Sequence, residues 1–223
     1  RLKLSNPNLN IALANSTKNQ NSDKKNELPF RNLEIKNGNI SIFKSNKSKY
    51  FAVKNLNVNI KNVELLDENS NQLLPIGFDE QEINGEDFYF RSSNIQIVKA
   101  DKIHTENKVV SIDNFEIIPL LNAKQFAKNY PNKPNYFQGK IAKIDLKDFA
   151  LKVDKISIST LEMVQPDIKM YIFEPLQKKK DKPFNNNIIL ENLKITNANF
   201  KVLKGQNKIF SSENMQIAVS ELV

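Results

Sequence analysis

His104 is the only histidine in the chain, and cysteine is absent. A histidine pair for a metal is therefore impossible, as are a disulfide framework and a thiolate metal site. Any Ser-His-Asp triad would hang on His104, which lies in Lys102-Ile103-His104-Thr105 ahead of an expected turn at Glu106-Asn107. That placement reads as a surface or strand-end histidine. The acids Asp79, Glu80, Glu82, Glu86 and Asp87 offer hard oxygen ligands of the kind calcium takes. They lack the Asp-x-Asp/Asn-x-Asp/Asn-Gly spacing of a dedicated loop and read as solvated loop acids. There is no glycine-rich phosphate loop, nucleophile elbow or zinc-binding helix motif. Carboxylate pairs for glycoside chemistry converge from distant strands and leave no spacing signature. Sugar platforms are sparse, however: Trp is absent, and aromatic clusters such as Phe88-Tyr89-Phe90 and Tyr136-Phe137 are few. The first of these alternates as strand core does. The expectation is a protein that is not an enzyme, with no catalytic, cofactor-binding or metal-binding residues.

The chain carries a net charge of +8. Nucleic-acid binding needs basic residues gathered on one face, often with stacking aromatics between them. Here lysines are scattered, and Lys178-Lys179-Lys180 is the only run. No nucleic-acid partner is expected. The tract from Gln177 to Pro183 reads as a solvated loop, or as one drawn to an anionic membrane surface. Asn15-Ser-Thr17, Asn39-Ile-Ser41 and Asn46-Lys-Ser48 match glycosylation acceptors, as chance provides in an Asn-rich chain. High Asn, Lys and Ile suits an AT-rich bacterial genome. No run of 18 apolar residues is present to span a membrane as a helix. With no initiator Met and no leader pattern, the chain is expected to be a piece of a longer protein.

The elements behind these residues are strands. Leu56/Val58/Ile60, Ile95/Ile97, Phe115/Ile117, Ile144/Leu146 and Ile156/Ile158 alternate apolar with polar. That pattern sends one row of side chains to a core and the other to water. It favours antiparallel sheets over buried parallel ones. Asn37-Gly38 between Ile35 and Ile40 predicts a tight hairpin. Asn197-Ala198 lacks the glycine and favours a bulge or looser connection, and bends are expected at Asn62-Val63 and Phe149-Ala150. Pro7 and Pro166 fall inside alternation, which marks an edge strand, a bulge or a strand start. Loops are expected near 14–29, 67–87 and 174–187. One short helix is expected over 122–130, ended by Pro131.

The chain also repeats itself at about 160 residues. Asn32, Leu33, Ile35, Asn37, Asn39 and Lys44 return as Asn192, Leu193, Ile195, Asn197, Asn199 and Lys204. Pro7 in Leu2–Ile11 answers Pro166 in Leu161–Met170, and Asn55–Ile60 answers Asn214–Val219. Residues 1–160 are read as one full period and 161–223 as the start of the next, packed continuously with it. The lining of any groove is left unknown.

The phrase Leu33-x-Ile-Lys-Asn-Gly-x-Ile-x-Ile42, a polar turn, then Phe51-x-Val-x-Asn-Leu-x-Val-x-Ile60 resembles the repeats of AsmA-like (AsmA/TamB-type) envelope proteins of Gram-negative bacteria. So does Ser111-Ile-Asp-Asn-Phe-Glu-Ile-Ile-Pro119 with the later Gly139–Leu146 strand. The resemblance covers most of the chain and rests on strand and turn phrases. The long 67–87 insertion and the Asn-rich turns depart from the pattern. The resemblance implies elongated, twisted antiparallel sheets curling into a groove. It also implies a periplasmic protein, anchored to the inner membrane by a segment outside this chain. Its implied work is noncatalytic phospholipid transport or outer-membrane biogenesis, with phospholipid, envelope proteins and further repeats as partners and no cofactor. The alternative from the residues is a β-rich surface module that binds protein or glycan through the 67–87 loop.

Overall fold

The computed structural model describes residues 1–12, 31–65, 76–77, 80–106, 108–132, 135–152, 155–173, 187–204 and 207–222. In chain order the elements are β1 (Leu2–Ser5), β2 (Asn8–Ala12), β3 (Leu33–Phe43), β4 (Lys49–Lys61), β5 (Glu64–Leu65), β6 (Ile76–Gly77) and β7 (Glu80–Phe90). They continue with β8 (Gln96–Glu106), β9 (Val109–Pro119), α1 (Ala123–Asn129), β10 (Asn135–Lys147), β11 (Ala150–Lys152), β12 (Lys155–Ile172), β13 (Asn187–Lys204) and β14 (Asn207–Val219). The fold is all-β with one short helix, as the alternation predicts. A large sheet runs β1-β3-β4-β7-β8-β9-β10-β12-β13-β14, with β2 on β3 and β11 on β12, and β5 pairs with β6. Every substantial strand–strand contact joins hydrogen-bonded neighbours, so the strands stack side by side in a solenoid-like run. Among the described residues no second sheet covers the first.

The expected antiparallel sheet is in fact mixed. β1 and β2 pair parallel to β3, and β12 pairs parallel to β13. Parallel neighbours need a connection of about a dozen residues or more to return to the starting end. Residues 13–32 and 173–186, both long polar stretches, supply that length. Alternation reports which face a side chain takes and is blind to strand direction.

The predicted hairpin at Asn37-Gly38 does not form: β3 runs unbroken through it. A tight hairpin turn needs positive φ at both central residues. Asn37 has φ 50°, but Gly38 is not left-handed. Asn37 is instead a bulge, and the register to β4 shifts between Ile35 and Gly38. Gly38 serves close approach: a Cβ there would meet Ile35 Cγ2 at 2.9 Å and Pro7 Cγ at 3.2 Å. The bulge expected at Asn197-Ala198 is present, with Asn197 at φ 55°. Pro7 follows Asn6 (φ 51°) between β1 and β2, and buried Pro166 follows Gln165 (φ 52°) within β12. Both prolines sit beside bulged residues.

These bulges belong to a row. Asn6, Asn37, Asn55, Asp87, Asn114, Gln165, Asn197 and Asn214 all take φ between 48° and 55°. The pairs Gly38–Leu56, Lys54–Glu86, Lys102–Asp113, Lys143–Val164, Val164–Thr196 and Ala198–Met215 carry the row from strand to strand. At this crease the spacing of inward residues lengthens from two to three: Ile35/Gly38, Val53/Leu56, Gly85/Phe88, Ile141/Ile144 and Ile195/Ala198. A Cβ on Gly85 would meet Val53 Cγ2 at 2.7 Å and Leu56 Cδ1 at 3.5 Å, which places both sides of the crease on one face. A one-residue slip would otherwise turn every apolar side chain past the crease to the opposite face.

The expected 67–87 loop is shorter than the sequence implied. β7 begins at Glu80, so Glu82, Glu86 and Asp87 are strand residues; 66–75 and 78–79 lie outside the described residues. So do most of the loops near 14–29 and 174–187, Asn15-Ser-Thr17, Lys178–Lys180 and Asp79. The helix forms where expected, with Asn122 and Gln125 in a reciprocal capping box. Seven residues make a marginal helix alone. This one is held by Phe126, fully buried against Tyr130, Tyr136 and Phe173 at centroid distances of 5.6, 4.9 and 5.7 Å.

Candidate functional site

Directly opposed residues on neighbouring strands share a face. On one face they form unbroken apolar rows. Above the crease, Ile11, Ile42, Phe51, Phe90, Val98, Ile117, Gly139, Ile168 and Phe200 oppose one another in sequence across nine strands. Below it, Gly85, Ile103, Ile112, Ile144, Met163, Ile195 and Ile217 do the same across seven. Where neighbouring rows close on each other the side chains are buried, as in the cluster of Ile35, Val53, Leu56, Val58, Ile60 and Val63. Elsewhere Phe51, Val98, Ile103, Ile112, Ile117, Met163, Ile168 and Phe200 are only partly covered, and Ile11 is 43% exposed. Isolated apolar surface residues are ordinary, but a contiguous exposed face is not.

The opposite face carries polar rows that alternate in charge across the strands, and it also buries Ile97, opposed by Ile118, and Tyr136 beneath Phe126 of α1. Lys99, Glu116, Lys140 and Asp167 oppose one another in one row, and Lys102, Asp113 and Lys143 in the next. Lys140 pairs with Glu116 at 2.5 Å, Lys143 with Asp145 at 2.9 Å and Lys147 with Glu162 at 2.7 Å. Glu34 lies between Lys3, Lys36 and Arg1, and the hydrogen bond from Arg1 holds its carboxyl below the ordinary value. The net positive charge is thus interleaved with acids over these rows.

His104 lies two residues before the end of β8, partly buried and opposite Ser111. Asp145 occupies the next strand of the same row. The three types of a triad are therefore brought together in the wrong order. Ser111 Oγ donates to Asp145 Oδ1 at 2.5 Å, whereas a triad sets histidine between serine and acid. His104 Nδ1 is buried without a partner among the described residues. Of the acid cluster, Glu86 accepts from Asn55 Nδ2 at 2.7 Å and Asp87 pairs with Lys54 at 2.8 Å; these are structural roles at the crease. Among the described residues no three His, Cys, Asp or Glu side chains converge as a metal site. Phe88 and Phe90 face the apolar side, while Tyr89 lies under Lys49 on the other, 5.6 Å from ring centroid to Nζ. Asn39 and Asn46 both accept hydrogen bonds within the fold, from Asn55 N and from Ser48.

The crease asparagines are the feature that sequence reading missed. Asn37 N donates to Asn57 Oδ1 at 3.1 Å, and Asn55 N to Asn39 Oδ1 at 3.2 Å. Between β13 and β14, Asn214 N donates to Asn199 Oδ1 at 3.1 Å, and Gln216 Nε2 to Asn197 Oδ1 at 2.9 Å. Side-chain amides replace ladder bonds that a bulge disrupts. The signal was available as the three-residue skip between apolar positions with Asn inside it.

Fold and faces define an all-β, repeat-like solenoid with apolar rows on one face and charged rows on the other. No helix among the described residues is long and apolar enough to cross a membrane. No family model, curated protein or solved structure matches this chain.

Proposed function

We propose that the protein is a noncatalytic lipid-handling segment that holds acyl chains along its apolar face as a groove. The observation that carries this reading is the partly exposed apolar rows running across nine strands without a covering layer among the described residues. Each methylene hidden from water is worth about 0.8 kcal/mol, so a chain of about 16 carbons gains on the order of 10 kcal/mol on such a surface. The resemblance to AsmA-like proteins extends the reading to a periplasmic, membrane-anchored protein active in phospholipid transport or outer-membrane biogenesis. It also makes the ~160-residue period the building unit. Supporting the unit are the parallel pair Leu2–Leu33 beside Leu161–Leu193, and the bulge pair Gly38–Leu56 beside Ala198–Met215.

Native mass spectrometry with added phospholipid tests the proposal. Lipid adducts are expected on the wild type and are expected to fall at least tenfold in Ile112→Asp/Met163→Asp. A polar-face control, Lys99→Ser, should bind as the wild type does. Absence of adducts across lipid classes overturns the reading.

A further inference from the structure

Beyond the apolar face, the sheet carries a cationic cleft at the end where β3 and β7 finish and β4 and β8 begin. A cavity of about 400 Å³ there is lined by Lys44, Tyr50, Arg91, Ser92, Ser93 and Tyr130, among others. That volume falls within the range of small-ligand sites, about 300–1,000 Å³. Its frame is fixed by backbone bonds. Arg91 N donates to Tyr50 O at 2.8 Å, and Ser93 N to Gln96 O at 3.3 Å. Ser92 Oγ also donates to Gln96 O, at 3.2 Å.

The donors facing this cleft are under-used. Arg91 Nε is buried without a hydrogen-bond partner, a costly state for a charged group. Neither Arg91 nor Lys44 pairs with an acid among the described residues; Lys44 Nζ lies 5.4 Å from the Tyr50 ring centroid. Ser93 Oγ accepts from Ile95 N at 3.3 Å, which leaves its proton to donate elsewhere. A planar guanidinium, an ammonium and a hydroxyl around one cavity supply more donors than a carboxylate can take. They suit the several oxygens of a phosphate. On the polar face, by contrast, Lys140, Lys143 and Lys147 already have acid partners.

We propose that this cleft binds a phosphate group, with Arg91 and Lys44 as its charge partners and Ser93 as a third donor. The apolar row starts beside it, since Tyr50 and Arg91 adjoin the opposed pair Phe51–Phe90. A phospholipid could thus seat its headgroup here with its acyl chain on the adjoining face. Only that choice of source rests on the lipid-handling reading; the phosphate chemistry does not.

The test titrates the protein with three probes: short-chain phosphatidate, an uncharged monoacylglycerol of equal chain length, and inorganic phosphate. Wild type is expected to bind phosphatidate at least tenfold more tightly than monoacylglycerol. Lys44→Gln/Arg91→Gln should lose that difference and keep its monoacylglycerol affinity. In the unmutated protein, inorganic phosphate should shift the amide resonances of residues 91–95, a readout independent of how the variant folds. If phosphate and phosphatidate bind alike while monoacylglycerol does not bind, the phosphate site stands and the acyl reading fails. Equal affinities for phosphatidate and monoacylglycerol in the wild type overturn the site. So do phosphate-induced shifts confined to residues elsewhere.

Discussion

Asparagine does its structural work here through two properties, tolerance of positive φ and a short amide that replaces a missing backbone partner. Asn37 uses the first and Asn39 the second, as Asn197 and Asn199 do in β13. Asn37→Val is expected to destabilise by about 1–2 kcal/mol, because a β-branched residue is strained at φ 50°. Asn37→Gly should be neutral within about 0.5 kcal/mol. Urea midpoints of the two variants check this, and equal losses would refute the backbone argument. Asp145 offers a second residue-level test. Partial burial pushes its pKa up, but the bonds from Ser111 and Lys143 and the charge of Lys147 more than offset this and leave it lowered. The unfolded chain therefore takes up this proton first as pH falls. The stabilisation is full above the ordinary value near 3.8 and is lost as pH falls through the lower folded value. Asp145→Asn should cost roughly 1 kcal/mol at pH 7 and progressively less as pH falls below that value. Chemical denaturation across pH measures the convergence, and a pH-independent difference would contradict it.

Among the elements, α1 depends on a single anchor. Phe126→Ala is expected to cost about 3–5 kcal/mol and to detach the helix, since the capping box alone cannot sustain seven residues. Hydrogen exchange should then rise over 122–130 and at Tyr136, whose hydroxyl donates to Leu121 O. The helix was legible because its signals are local: an Asn cap, Gln three residues on, and a closing proline. The strands were legible for the same reason, through two-residue alternation. What escaped was relational. Asn37-Gly38 reads locally as a turn, and only the register to β4 shows a bulge in a continuous strand. Parallel pairing of β12 with β13 depends on a crossover that side-chain alternation does not encode. The apolar rows were visible as candidates, but core and open face share one composition, and the lining could be assigned only from cross-strand partners. The Arg91 cleft left no motif, since β3, β4, the β7–β8 turn and the helix cap each contribute one part.

For the molecule as a whole, side-by-side stacking with substantial strand–strand contacts only between hydrogen-bonded neighbours makes stability a chain of local interfaces rather than one shared core. A globular domain spreads the cost of a core mutation over a single cooperative transition. Here Ile195 is 5% exposed and opposes Met163 and Ile217, while the Ile35–Val58 cluster on β3 and β4 lies six to seven strand positions away along the sheet order. Ile195→Ala is expected to cost about 2–4 kcal/mol, from lost apolar burial and the cavity left behind. That loss should fall mainly on β12, β13 and β14. Amide exchange in these strands should accelerate by a factor of about 30 or more, following about 1.4 kcal/mol per tenfold. Exchange in β3 and β4 should stay within a factor of about three. The mirror substitution Ile35→Ala should accelerate β3 and β4 and spare β13 and β14. Acceleration of equal size along the entire sheet would mean the strands unfold as one unit, and the neighbour-only picture would fail. Confinement of each effect to its own region would show that one stretch of the apolar face can open while the rest stays ordered. An acyl chain entering such a face needs that local freedom.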